Sequence, residues 1–202
     1  GTILGQFISL GLIALIIVFQ QEIRRFLIVL GTNNILTKSS LTKKILPWNW
    51  TSKGIRQLDI GAIVKACRKM SKEKTGAIIV LAKSSELKNI SGTGQKMNAV
   101  ISQRLIESIF FKNSPLHDGA TIIVNNKIKA ASCVLPVSEN LDLPAHLGMR
   151  HRAAIGISEQ SDAIAVVVSE ETGEIAVATE GQIRLNIRVE ELERILAEEF
   201  SA

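Results

Sequence analysis

Residues 76–82, 121–124 and 163–169 form short, almost unbroken apolar runs, and these runs constrain the fold more than any other feature of the chain. A run of that length suits a strand covered on both faces, whereas a strand with one wet face would alternate. Between the runs lie segments whose apolar residues recur at helical spacing. In residues 57–70 these are Leu58, Ile60, Ile63, Val64 and Cys67. Residues 98–111 carry Val100, Ile101, Leu105, Ile106 and Ile109, with Asn98 read as the N-cap and Pro115 as the stop. Residues 128–135 pair with 121–124 as a hairpin around Asn125-Asn126, residue types that tolerate the positive φ of a tight turn. Residues 175–178 and 183–185 add strands, with Gly173 and Gly181 at their turns, and residues 189–200 close the chain as a helix. Interleaved helices and hairpins predict an α/β fold, a central mixed twisted β-sheet flanked by helices.

The N-terminal part reads differently. Residues 3–19 are apolar except at Gly5, Gln6, Ser9 and Gly11, just short of a comfortable membrane span. Helical spacing then continues through Ile23, Phe26, Leu27 and Leu30. The expectation is an N-terminal apolar helix over residues 1–31, lying on or leading out of a bilayer; packing against the domain core is the alternative. No cationic region precedes it, so it does not resemble a secretory signal, and the absence of an initial methionine suggests that upstream sequence is missing. Residues 32–54 form a polar linker whose Trp48 and Trp50 suit either a headgroup boundary or a contact with the domain. Residues 55–202 remain as the main folded domain.

Charge supports that division. Residues 21–74 hold twelve Lys or Arg against three acids, while the remainder holds twelve against sixteen. A basic segment trailing an apolar one fits the cytoplasmic side of a cell membrane better than a nucleic-acid groove. At 4% aromatic residues and no tyrosine, a stacking platform for single strands is also disfavoured, and no nucleic-acid partner is expected. Cys67 and Cys133 both sit inside apolar patterns and read as buried, reduced thiols.

Two loops carry the chemistry. Residues 113–120 read Asn-Ser-Pro-Leu-His-Asp-Gly-Ala, and residues 148–154 read Gly-Met-Arg-His-Arg-Ala-Ala. Asp118 leaves a helix just ahead of a strand, beside a glycine that lets a ligand approach; taken alone, a turn aspartate explains it as well. Arg150, His151 and Arg152 precede an apparent short helix over 153–159, where open amides and guanidinium forks would draw an anion. Ser169-Glu170-Glu171 offers a hydroxyl and carboxylates, though an ordinary turn accounts for it equally. Gly92-Thr93-Gly94, read as followed by a helix, imitates a dinucleotide loop but lacks both the third glycine and a strand leading into it.

The stretches 115–120 and 150–154 together resemble the diadenylate cyclase domain, in the membrane-bound bacterial form. Residues 12–25 and 168–173 are similar to further shared stretches. The resemblance implies condensation of two ATP into cyclic di-AMP, with release of two pyrophosphates, at a two-fold interface between protomers. It implies Asp118 as the catalytic carboxylate and Gly119, Ala120, Leu135, Met149, Arg150, His151, Arg152, Ser169 and Glu171 as substrate-binding residues. His117 and Asp118 would hold a divalent metal, with manganese preferred and cobalt or magnesium as alternatives; imidazole favours manganese or cobalt over magnesium, since it suits softer ions. ATP, a second copy of the chain and the membrane are the implied partners, and a regulatory protein partner is left open. Met149 stands where the family usually has threonine, and Val134 where it often has an aromatic residue. Two other readings compete: a metal-dependent phosphohydrolase built from His117, Asp118, His146 and His151, and a catalytically silent nucleotide-binding module tethered at the membrane.

Overall fold

The computed structural model describes residues 58–140, 143, 144 and 147–200, together with Phe19. The expected N-terminal helix, the linker with its tryptophans, and His146 lie outside the described residues. No helix among the described residues is long and apolar enough to cross a membrane.

Chain order is α1 (Ile60–Glu73), β1 (Ala77–Leu81), α2 (Lys88–Ser91), β2 (Gln95–Val100), α3 (Gln103–Phe110), β3 (Ala120–Val124), β4 (Lys127–Cys133), α4 (Met149–Gln160), β5 (Ile164–Val168), β6 (Ile175–Thr179), β7 (Gln182–Arg184) and α5 (Val189–Phe200). The strands make one sheet in the order β2-β4-β3-β1-β5-β6-β7, so the apolar run 76–82 supplies the middle strand. β1 and β3 run parallel and every other described pairing is antiparallel, which makes the sheet mixed as expected.

Strand alternation splits the core in two. Ala77, Ile79 and Leu81 face α1, α3 and α5, packing with Ile63, Cys67, Ile106, Phe110 and Leu196. Ile78 and Val80 face the other way, with Ala120, Ile122, Val167 and the α4 residues Ala154, Ile155 and Ile157. Both thiols are free and buried, as anticipated.

Local rules explain most boundaries. Asp59 caps α1 by accepting from the Ala62 amide at 3.0 Å, and Lys74 ends it in the left-handed region. Asn125 and Asn126 have φ of 51° and 57°, the pair of positive values a two-residue hairpin needs. Gly173 and Gly181 turn at φ of 81° and 77°.

Three expectations are corrected. Residues 98–100 belong to β2, and α3 begins at Gln103 under a Ser102 cap that accepts from the Leu105 amide. Pairing with β4 wins over helical periodicity here, and Asn98 takes φ 51° where the register slips between Lys96 and Ala99. The Arg150–Arg152 triplet lies inside the first turn of α4 rather than ahead of a helix, because Gly148 serves as the cap. Gly92-Thr93-Gly94 leads into a strand, not a helix.

Candidate active site

The N-terminal ends of β1 and β3, the C-terminal ends of β4 and β5, and the N-terminus of α4 meet at one edge of the sheet. They enclose a cavity of about 660 Å³. Its floor is Ile78, Ala120 and Val167, the buried face of the sheet. Its walls come from segments more than fifty residues apart, which is why no single sequence window reveals it.

Asp118, Gly119 and Ala120 form one wall. Asp118 is exposed, and its carboxylate makes no hydrogen bond or ion pair with any described residue. Its backbone is fixed instead: Ser132 Oγ donates to the Asp118 carbonyl at 2.6 Å. Ser132 itself sits at φ 54°, at a bulge in β4. Gly119 has φ 102°, and a Cβ there would lie 2.8 Å from the backbone of Ser132 and Cys133. Only glycine fits that position, for conformation and for space. The turn reading of Asp118 therefore fails, since the side chain is not spent on its own backbone.

The α4 N-terminus forms the opposite wall. Gly148 provides no side-chain cap and no acid occupies the first turn, so the leading amides and the positive end of the helix dipole remain open to an anion. Arg150 and His151 line the cavity; Arg152 does not. Residues two apart on a helix diverge by about 200°, so the two guanidinium groups of the triplet cannot face one ligand from one chain. Met149 lines the mouth and is 68% exposed.

Ser169 and Glu171 line the third side. The Ser169 hydroxyl oxygen accepts from the amides of Glu171 and Thr172 at 3.3 and 3.2 Å, which leaves its hydrogen to donate into the cavity. Leu135 lines the site beside Val134, whose amide donates to Thr93 Oγ1 at 3.0 Å. The Gly-Thr-Gly segment thus braces the wall: a Cβ on Gly94 would fall 2.4 Å from the Ala131 carbonyl. Cys133 also faces the cavity, and burial pushes its thiol up to about 11, so it stays protonated and is no nucleophile at neutral pH.

His117 is adjacent to Asp118 but does not line the cavity. Its Nδ1 lies 2.6 Å from the Ser114 carbonyl, a contact that places the proton on Nδ1 and leaves Nε2 as an acceptor. His117 and Asp118 therefore offer two free donors of the kind a divalent ion takes. No group of three or more His, Cys, Asp or Glu able to hold a metal exists among the described residues. The donor set suits an ion completed by substrate phosphates. It does not support the His117, Asp118 and His151 core of a hydrolytic metal centre.

Sequence comparison decides the family. The profile for the DisA bacterial checkpoint controller nucleotide-binding family matches residues 64–183. A cyclic di-AMP synthase, CdaA, of Bacillus subtilis is 39% identical over 198 residues, covering 98% of this chain and 69% of its own. A diadenylate cyclase of Listeria monocytogenes is 41% identical over 200 residues with the same coverage. The chain belongs to the diadenylate cyclase family.

The fold agrees. The crystal structure of a double mutant of DacA from Staphylococcus aureus superposes with a TM-score of 0.69 at 46% identity, covering 71% of this chain and 95% of that one. A Bacillus cereus protein described as a hypothetical membrane spanning protein gives 0.62 at 40% identity, over 64% of each chain. Within this diadenylate cyclase the residues that sequence reasoning missed are Ser132 and the buried Gly76. Glu170 is visible in the sequence, but only as part of what an ordinary turn explains. Ser132 and Gly76 give no signal, because their roles arise only where distant strands meet.

Proposed function

We propose that this chain condenses two ATP into cyclic di-AMP, each cavity holding one nucleotide and two protomers meeting about a two-fold axis. What supports the reading most is a single cavity that joins Asp118, the α4 N-terminus with Arg150, and the Ser169 hydroxyl. A volume of about 660 Å³ lies within the range of sites built for one molecule of this size. The triphosphate lies along the open amides of α4, with Arg150 and Ser169 on its oxygens. Gly119 and Ala120 let the nucleotide rest against the backbone, and Leu135 borders the base.

Asp118 takes the proton of the ribose 3′-hydroxyl. The resulting oxygen attacks the α-phosphorus of the nucleotide on the facing protomer. That bond forms as the α–β anhydride bond breaks, and pyrophosphate leaves toward the cationic wall. Repeating the step from the other side closes the ring and releases the second pyrophosphate. His117 Nε2 and the Asp118 carboxylate would hold a divalent ion, manganese preferred or else cobalt or magnesium, and that ion would neutralise phosphate charge and lower the pKa of the attacking hydroxyl.

The mouth supports the two-fold arrangement. Val134, Val137, Met149 and Leu185 leave 38–69% of their surface exposed around it, an apolar rim that a second copy would cover. Glu171 lies at the same mouth and is assigned to the substrate. Arg152, turned from its own cavity, is assigned to the facing nucleotide. The apolar N-terminal run and the basic segment that trails it in the sequence support an assignment of the domain to the cytoplasmic side of the bacterial cell membrane.

Incubation with ATP and manganese tests the reading. A cyclic dinucleotide product is expected; ADP or AMP with free phosphate, or unchanged ATP, would reject it. Asp118→Asn is expected to lower turnover at least about a hundredfold while ATP still binds. Full activity in that variant would remove Asp118 from the chemistry.

A further inference from the structure

Arg150 lines the cavity along the proposed phosphate path, and it is already held. Its Nη1 donates to Glu170 Oε2 at 2.7 Å, with both residues lining the cavity. Glu170 leaves the end of β5 and Arg150 stands in the first turn of α4, so the contact ties strand to helix across the site. The contact uses one donor of a guanidinium that has five. The remaining edge of Arg150 is left for phosphate oxygens.

Gly76, just before β1, shows how the pair is accommodated. A Cβ at this buried position would lie 2.8 Å from Arg150 Nη1 and 2.8 Å from Glu170 Oε2. Its backbone is not in the left-handed region, and the atoms a Cβ would meet are the ends of the Arg150 and Glu170 side chains, so an added methyl would displace the pair and not the backbone. The ion pair occupies the space a side chain at position 76 would take.

We propose that Glu170 is a positioning residue that aims the Arg150 guanidinium at the triphosphate, and that Gly76 is the seat this pair requires. The inference rests on the cyclase reading of the site. An exposed ion pair adds little to stability, and Glu170 keeps 61% of its side-chain surface, so its effect falls on orientation. A loosely held arginine must lose its rotamer freedom each time ATP binds, whereas a tethered one has lost it already.

The test uses the whole chain with ATP and manganese, after circular dichroism has shown each variant to be folded. Glu170→Ala is expected to raise KM for ATP roughly tenfold while kcat changes less than about threefold. Glu170→Gln keeps an acceptor oxygen at the same reach and should recover most of the loss. Gly76→Ala should raise KM alone but add less than about twofold in the Glu170→Ala background, where the pair is already broken and Arg150 is free to move aside. An unchanged or lower KM in Glu170→Ala would mean that Glu170 competes with phosphate, and would overturn the proposal. Additive losses from Gly76→Ala and Glu170→Ala would overturn it too. The wild-type chain is the separate control: if it forms no cyclic dinucleotide, the cyclase reading fails; if it does and the variants match it, only the role of Glu170 fails. Should Gly76→Ala not fold, the two Glu170 variants decide the matter alone.

Discussion

At the scale of residues, the role proposed for Asp118 depends on how its backbone is pinned. Gly119 is held at φ 102° against β4, and Ser132 bonds the Asp118 carbonyl from that strand. Gly119→Ala combines a disfavoured backbone with a steric collision and is expected to cost on the order of 2 kcal/mol or more, read from the denaturation midpoint. Ser132→Ala removes one hydrogen bond, at about 1 kcal/mol, and should lower turnover a few-fold with ATP affinity unchanged. The thiols give a prediction in pH. Burial pushes Cys67 up to about 12 and Cys133 up to about 11, from an ordinary value of 9.0. A raised pKa means that the folded state favours the protonated thiol. The associated stability is full below about pH 9, and it is lost as pH climbs through about 11 to 12. Neither thiol should react with iodoacetamide at about pH 8, below the ordinary thiol range, until the chain is unfolded, and Cys133→Ala should blunt the alkaline loss. The glycine beside Asp118 is legible in the sequence. Ser132 is not, because a serine in a strand announces nothing until its partner strand is placed.

At the scale of elements, the apolar runs and the Asn-Asn turn account for most of the sheet. They succeed because burial on both faces and a left-handed turn each leave few residue types available. β2 escapes notice for the opposite reason. It is an edge strand with mostly exposed, mixed residues from Gln95 to Val100, so its pairing comes from β4 and not from its own pattern. The start of α4 is hidden as well, since the helix buries a continuous block from Ala154 to Ser158 and shows no clean stripe. That block is sandwiched: a Cβ on Gly156 would fall 2.4 Å from the Pro136 carbonyl, in the segment just after Leu135. Gly156→Ala should therefore push that segment outward, at about 1–3 kcal/mol, and weaken ATP binding without touching Asp118. Calorimetric titration of ATP beside a chemical melt would separate the two effects.

At the scale of the whole molecule, the proposed scheme of one nucleotide in each protomer's cavity leaves a single chain with half of the reaction. Specific activity is expected to fall on dilution below the dimer dissociation constant, and a concentration-independent value would break the two-fold scheme. Exchange of rim residues tests the same point: Leu185→Glu or Val137→Glu should depress turnover at low protein concentration and recover in part at high. Motifs in the sequence bring the cavity's acid and one of its cations into view. The split of Arg150 from Arg152 stays hidden there, because only the helical phase at the start of α4 sends the two in different directions.

The parallel pair at the centre of the sheet has an unusual bearing on where this enzyme keeps its chemistry. Open α/β sheets commonly take ligands at the carboxyl ends of their parallel strands. Here β1 and β3 both enter the cavity by their amino ends. The far rim, where β1 and β3 run out and the 125–126 hairpin turns, therefore bears none of the reacting groups. A fluorophore or affinity handle placed there would report on assembly while leaving the reacting centre untouched.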